Sequence, residues 1–269
     1  MLAILEILIL VFFAGCSKAP ESSTYERLSA DNKKHHAEFV DRYCGKQEKL
    51  TQPERVFLAA LHIPLSKESE EDCRYKAAKI LDSLSITIIN GNSIDWNIEP
   101  LRYFSHITSL HLERVRLSTL ESLTPILKDF QQLTELHLEA NNIQSLEGLD
   151  LFAPSLKRLN LMGNQVRTLA GSHQALEVLY LQENPVRSIE SLEYLPKLKQ
   201  VGMGIKTRED MILFDWFSLL QPQKAPPVTC FKIFVGDKVR HLPENKYKEI
   251  SEQLDKSNSR IRTEAPDCR

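Results

Sequence analysis

The middle of the chain repeats one pattern of apolar residues, and this repetition constrains the fold more than any other feature. Segments beginning at Leu133, Leu156 and Leu176 align without a gap, with leucine at the first, fourth and sixth positions and asparagine at the ninth. Weaker copies begin at 84, 107 and 198, so successive copies start 20–26 residues apart. Units of this length cannot bury an apolar face alone, so the copies are expected to stack into one continuous core.

The pattern L-x-x-L-x-L-x-x-N-x-L resembles the leucine-rich repeat family over residues 84–206. Within it, the period-two alternation of leucines predicts a short strand with one buried face. The resemblance implies an α/β fold, a leucine-rich repeat solenoid with parallel strands on its concave face and short helical or 3₁₀ returns on its convex side. Apolar residues spaced three apart after each asparagine favour such returns. The asparagines themselves are expected to bond the turning backbone of the neighbouring coil, at Asn92, Asn141, Asn164 and Asn184.

The outward strand residues of such a solenoid would line its concave surface in three rows. The predicted rows are Ile86, Ser109, Glu135, Arg158, Val178, Gln200, then Ile88, His111, His137, Asn160, Tyr180, Gly202, and then Asn90, Glu113, Glu139, Met162, Gln182, Gly204. We expect a partner to bind at a subset of these residues, namely Glu135, Arg158, Val178, His111, His137, Asn160, Tyr180, Glu113, Glu139, Met162 and Gln182. Tyrosine and methionine are enriched at interface cores, although singly exposed apolar groups are also common.

Two histidines and two glutamates in these rows allow a different hypothesis. His111 and His137 would lie on adjacent strands, about 4.8 Å apart, with Glu113 and Glu139 two residues farther along. Such a set can bind Zn²⁺, so a metal-binding or hydrolytic protein is the alternative. Solvated His and Glu side chains, with the glutamates available to basic groups of a partner, are the simpler interpretation. No metal or other cofactor is expected.

The N-terminus predicts export. The apolar run that ends in Phe13-Ala14-Gly15-Cys16 resembles a signal peptide closing in a bacterial lipobox, although Phe13 stands in place of the usual leucine and the start carries Glu6 without Lys or Arg. The resemblance implies a signal peptide over residues 1–15, lipidation of Cys16, and a tether over 16–24. A transmembrane helix would need about 20 apolar residues, more than this segment has. Ser17 after the cysteine resembles the arrangement in outer-membrane lipoproteins of the cell envelope.

The four remaining cysteines, Cys44, Cys73, Cys230 and Cys268, are expected to form disulfides in an oxidising compartment. Three pairings are possible; the local one closes a loop before the repeats and another after them. A metal site is the rival, but the chain has no C-x-x-C motif.

Helical caps are predicted at both ends of the repeats. Residues 25–83 read as three helices, with a capping box at Thr51-x-x-Glu54 and with His35 and His36 on a solvated helix face. Residues 207–269 read as an α+β cap with a helix after Thr207, a strand over 228–235 and a helix over 244–254.

Composition and motifs narrow the function. The net charge is −2 and the basic residues form no stripe, which argues against nucleic acid. The chain lacks G-x-S-x-G, H-E-x-x-H and a glycine-rich phosphate loop, so we expect no enzyme. The expected function is a monomeric, lipid-anchored scaffold that binds a protein or other envelope component; a purely structural role in the envelope is the third hypothesis.

Overall fold

The structure is a computed structural model, and it describes residues 28–44, 49–63, 70–89, 98–186, 190–205 and 230–235. In these ranges it has a mixed α/β fold in which seven strands form a single parallel sheet. The strands follow one another in chain order: β1 Ser85–Ile89, β2 Ser109–Glu113, β3 Glu135–His137, β4 Arg158–Asn160, β5 Val178–Leu181, β6 Gln200–Ile205 and β7 Cys230–Val235.

The repeat pattern sets the register of the sheet from β2 to β5. The central leucine of each copy pairs with that of the next, so Leu110, Leu136, Leu159 and Leu179 form one row. All four are fully buried, and the residues on either side of them alternate to the opposite face, as a pleated strand requires. Each copy therefore contributes its apolar face to one continuous core.

The predicted register of the first copy is wrong by one residue. Ile86 pairs with Leu110 and Ile88 with Leu112, and both isoleucines are buried, whereas we expected them to face outward. Leu84, which we took as the first residue of this copy, is 60% exposed. The motif fits one residue earlier because Ile86-x-Ile88 then takes the place of the buried L-x-L pair, and a one-residue slip exchanges the two faces of a strand.

The asparagine prediction is confirmed at the three described positions. The Asn164 amide nitrogen donates to the carbonyls of Leu138 and Leu161, and its oxygen accepts from the Ile143 N–H. Asn184 does the same one copy later, with its oxygen on the Val166 N–H. Each asparagine thus binds backbone of its own coil and of the preceding one.

Within the described residues, the returns between strands are helical in four places. They contain 3₁₀ segments at Glu99–Phe104, Glu121–Leu123, Leu149–Leu151 and Glu190–Tyr194, the second followed by α4 at Thr124–Leu127. Between Asn164 and β5, where every residue is described, no helix forms, so the prediction is wrong for this coil. Val166 and Leu169 are nevertheless buried there, in backbone that forms neither helix nor strand.

In the described residues before the sheet, the structure has the three predicted helices: α1 Ala30–Phe39, α2 Gln52–Ala60 and α3 Glu70–Leu81. A π-helical turn, Val40–Cys44, continues α1. The capping box at the start of α2 is present, with Thr51 and Glu54 bonding each other's backbone N–H groups. The Cys44–Cys73 disulfide is confirmed.

The helices pack on the first coil of the sheet through aromatic side chains. The ring of Phe39 lies 5.6 Å from that of Phe104, centroid to centroid, and edge-on to Tyr103. His36, expected on a solvated face, is only 8% exposed, and its Nε2 lies 3.0 Å from the Arg74 carbonyl of α3. Packing of α3 against α1 therefore buries a side chain that the sequence of α1 alone places outside.

The last described strand lies inside the predicted strand 228–235 and pairs in parallel with β6. The signal peptide, Cys16, the tether, Asn90, Asn92, Cys268 and the helices predicted after Thr207 and over 244–254 lie outside the described residues. Among the described helices, none has the length and apolar character needed to cross a membrane.

Candidate partner-binding surface

The sheet presents one face away from the core. Eight of the eleven predicted partner-binding residues lie on it, and the other three, Glu139, Met162 and Gln182, lie in the turns directly after strands β3, β4 and β5. We call this set the outward strand face. It comprises Glu135, Arg158 and Val178, then His111, His137, Asn160 and Tyr180, then Glu113, Glu139, Met162 and Gln182. At β1 the outward positions belong to Ser85, Thr87 and Ile89, since Ile86 and Ile88 point inward.

Glu139 is the centre of the polar part of this face. Its Oε1 accepts a hydrogen bond from the Asn160 amide and lies 3.4 Å from His137 Nδ1. Its Oε2 lies 3.0 Å from His111 Nε2. The two imidazole rings, on adjacent strands, are 5.4 Å apart between centroids. The side chain of Glu139 is only 14% exposed, so three neighbours from three copies enclose one carboxylate.

The protonation of this cluster follows from its contacts. The hydrogen bond to Glu139 raises the pKa of His137 despite partial burial. Burial alone would raise the pKa of Glu139, but the hydrogen bond from His137 and the nearby imidazoles outweigh it and lower that pKa. Glu139 is therefore ionised at neutral pH, and the groups around it are imidazoles and an amide instead of a lysine or arginine.

Several polar atoms on this face have no hydrogen-bond partner. Six buried side-chain atoms in the described residues lack one, and three of them belong to the outward strand face: His111 Nε2, Glu139 Oε2 and Gln182 Oε1. The first two are close to each other, but their orientation is not that of a hydrogen bond. Buried polar atoms are usually satisfied, so these three are exceptions within the face, and neighbouring side chains cover all of them.

The first row and its flank carry ordinary surface ion pairs. Arg158 and Glu135 are 3.0 Å apart, with side chains 60% and 37% exposed. Arg114 and Glu113 are 2.8 Å apart. Exposed pairs of this kind contribute little to stability, about 0–1 kcal/mol each, and their charges are already compensated.

Tyr180 and Gln182, on another part of the outward strand face, pack against two glycines of β6. A Cβ at Gly202 would come within 2.9 Å of both Tyr180 and Gln182, and one at Gly204 within 3.1 Å of Gln182 backbone. Tyr180 and Gln182 can therefore lie over β6 only because these positions lack side chains. Met162, 39% exposed, follows β4, which lies between β3 and β5 in the sheet. Both glycines were in the predicted rows, but no sequence pattern indicated that the side chains of Tyr180 and Gln182 would pack against them.

The geometry does not favour the metal alternative. Among the residues that the structure describes, no group of three or more His, Cys, Asp or Glu side chains is arranged to hold a metal ion. The carboxylate of Glu139 is directed between the two imidazoles, and Glu113 is engaged by Arg114.

Sequence reasoning missed two features away from this face. His173 is 3% exposed, with Nε2 near the Ala153 carbonyl and Nδ1 accepting from the Ala175 N–H, so it is a structural residue. A cavity of about 470 Å³ lies between α1 and α3, beside His36 and Tyr75. Neither has a motif that could have revealed it, since both arise from contacts between distant segments.

Comparison with known proteins adds no assignment: no protein-family model matches the sequence, and no curated protein matches it significantly.

Proposed function

We propose that this chain is an exported, lipid-anchored leucine-rich repeat protein that binds a protein or other envelope component through its outward strand face. The observation that carries the proposal is the composition of that face. It combines an enclosed carboxylate, two histidines, an exposed methionine and a tyrosine, all on adjacent strands of one sheet or in the turns directly after them. Aromatic and methionine side chains flanked by polar groups are typical of interface centres.

The repeat architecture supports the solenoid part of the proposal. Successive strands are parallel and in chain order, the leucines of successive copies share one register, and each asparagine bonds two coils. In such an array each copy contacts only its neighbours. The outward strand face would then be the concave surface, held by a continuous core, and a rigid scaffold of this kind lowers the entropy lost on binding.

The proposal of a lipid anchor is supported by the N-terminal sequence and by the Cys44–Cys73 disulfide. Phe13-Ala14-Gly15-Cys16 supports lipidation of Cys16, and the Cys44–Cys73 disulfide is consistent with export, because disulfides persist in oxidising compartments. The test is metabolic labelling with an alkyne-bearing fatty acid. Label on the wild-type chain but not on a Cys16→Ser variant supports the anchor, and equal labelling of both would refute it.

The binding function is tested by photocrosslinking in the native cell. A benzoylphenylalanine replaces Tyr180 in one variant and Met162 in another, and a third variant carries it at Thr168, an exposed position in the return after β4. We expect a discrete protein adduct from the first two positions and none from Thr168. Absence of an adduct from both strand positions would refute binding at this face and would leave the purely structural role.

A further inference from the structure

Three segments that are distant in sequence meet where the helices pack on the first coil: the start of α1, the turn between α3 and β1, and the turn before β2. The Asn32 amide of α1 donates to the Leu81 carbonyl, 3.0 Å away. His106, in the turn before β2, places Nε2 3.1 Å from the Ser83 carbonyl. The Nδ1 atoms of His35 and His106 are both buried and lack a hydrogen-bond partner among the described residues. We call these five residues the cap junction.

The contacts of His106 determine its protonation state. A carbonyl can only accept a hydrogen bond, so Nε2 carries a proton and donates it to Ser83. In the neutral ring Nδ1 then carries none. Protonation of the ring would add an N–H at Nδ1, a buried atom without a partner in the described part of the chain. Because a buried, unpaired and charged donor is costly, the closed junction favours the neutral imidazole.

The surroundings of His106 do not compensate for a positive charge. Burial is the main cause that lowers its pKa, and the His35 imidazole lowers it further, whereas two backbone carbonyls act in the opposite direction. No carboxylate of the described residues is among these groups, not even Asp82 in the turn between α3 and β1. His36, the next residue of α1, faces α3 instead, at the Arg74 carbonyl.

The other end of α1 is held independently of these histidines. Phe39 is fully buried, and its ring packs against those of Phe104 and Tyr103. The Cys44–Cys73 disulfide ties the π-helical turn that continues α1 to α3. A change at the cap junction can therefore release the first turns of α1 while the last turn stays packed.

We propose that the cap junction is an acid-sensitive switch, in which protonation of His106 releases the first turns of α1 from the first coil. At neutral pH the uncharged ring donates to Ser83 and the junction is closed. As the pH falls below about 6.5, the open junction binds a proton better than the closed one, so the population of open molecules rises. This switch does not require the partner binding proposed above.

Amide hydrogen exchange of the oxidised full chain, followed by mass spectrometry, measures the opening of α1. The wild type is compared at about pH 7.5 and about pH 5.5, after correction for the intrinsic exchange rates. We expect protection of residues 30–36 to decrease about three- to tenfold at the lower pH, since one histidine titrated about one unit below its usual pKa contributes at most about tenfold. Protection in β3 and β4 should decrease less.

Two variants separate His106 from other effects of acid. His106→Gln retains an N–H donor for the Ser83 carbonyl but does not titrate, and His62→Gln, at an exposed histidine, is the matched control. We expect the extra loss of protection at residues 30–36 to disappear in His106→Gln and to persist in His62→Gln. The switch would be refuted by the same loss in the wild type and His106→Gln, or by losses of equal size in α1, β3 and β4.

A measurement on the wild type tests the same switch without a substitution. Proton–nitrogen NMR correlation of the His106 ring should find the proton on Nε2 and none on Nδ1 at neutral pH. A proton on Nδ1 under these conditions would overturn the proposal.

Discussion

Replacing Asn141 by alanine should destabilise the fold strongly, whereas the same change at its neighbour Asn142 should not. The Asn141 oxygen accepts from the N–H groups of Val115 and Leu117, and its amide donates to the carbonyls of Leu112 and Leu138. It is 3% exposed. Asn142 is exposed, and only its backbone N–H is used, on the Leu117 carbonyl, so Asn142→Ala is a control of identical chemistry.

The size of the effect follows from the bonds that are lost. The Asn141 amide also donates to the Glu139 carbonyl. The Leu138 carbonyl keeps a second donor in Asn164, and the Glu139 carbonyl keeps one in the Arg114 N–H. Three other backbone groups lose the bond to Asn141: the N–H groups of Val115 and Leu117 and the Leu112 carbonyl. At about 1 kcal/mol for each bond, and more where the group stays buried and unpaired, the loss is about 3 kcal/mol. The copy that begins at Ile107 has Val115 at its own asparagine position. It therefore depends on the Asn141 side chain of the next copy for these bonds.

Urea unfolding of the oxidised protein, followed by far-ultraviolet circular dichroism, measures the difference. We expect Asn141→Ala to lower the free energy of unfolding by about 3 kcal/mol, with an unchanged slope against urea, and Asn142→Ala to lower it by less than about 0.5 kcal/mol. Equal stabilities of the two variants would refute the role of the asparagine as a bridge between coils.

Three further outcomes are expected. Cys44→Ser should lower the free energy of unfolding by about 3.5 kcal/mol in urea denaturation, because the disulfide closes a loop with a sequence separation of 29; no loss relative to the wild type would contradict this. Gly171→Ala should destabilise the fold by about 3 kcal/mol or more, since the φ of Gly171 is +145° and a Cβ would lie 2.2 Å from the Leu146 oxygen. Gly163→Ala, whose Cβ would meet nothing nearer than 3.5 Å, should cost about 1 kcal/mol. Thermal melts compare the two variants, and similar melting temperatures would argue against strain at Gly171. Proton NMR titration of the histidines should find the pKa of His137 above 6.5 and that of His173 below it, because His137 bonds a carboxylate and His173 is buried; the reverse order would refute both environments.

The two histidines act on stability in opposite directions. Folding lowers the pKa of His173, so protonation of this residue favours the unfolded chain. The free energy of unfolding therefore decreases as the pH falls below about 6.5. Folding raises the pKa of His137, so its contribution is complete below about 6.5 and is lost as pH rises through the folded pKa. Comparing His173→Gln and His137→Gln with the wild type across pH 5–8 separates the two.

Much of the sheet could be predicted from sequence because the apolar frame of each copy also fixes its register. Leu136, Leu159 and Leu179 had to be buried, and the strand residues directly before and after each of these leucines had to face outward. The frame was ambiguous only at β1, where Leu84, Ile86, Ile88 and Ile89 offer apolar residues to both faces. The alternation Ile86-x-Ile88 was the available signal, and pairing with β2 decided the register.

The chemistry of the outward strand face could be predicted only as a set of residues. Strand spacing placed His111 beside His137, but it could not show that Glu139 turns between them, or that Asn160 completes the enclosure. Those contacts depend on side-chain rotamers and on neighbouring coils. Burial of His36 and His173 likewise follows from packing between distant segments, which no local pattern encodes.

The most direct measurement of the central claim compares two pairs of side chains, one on the outward strand face and one on the returns. With the partner identified by crosslinking, its dissociation constant is measured for Met162→Ser/Tyr180→Ser on the outward strand face and for Leu151→Ser/Tyr194→Ser on the returns, where both residues are more than half exposed. We expect the first pair to weaken binding by about tenfold or more and the second to leave it unchanged. Unchanged binding in the first pair with loss in the second would contradict binding through the strand face.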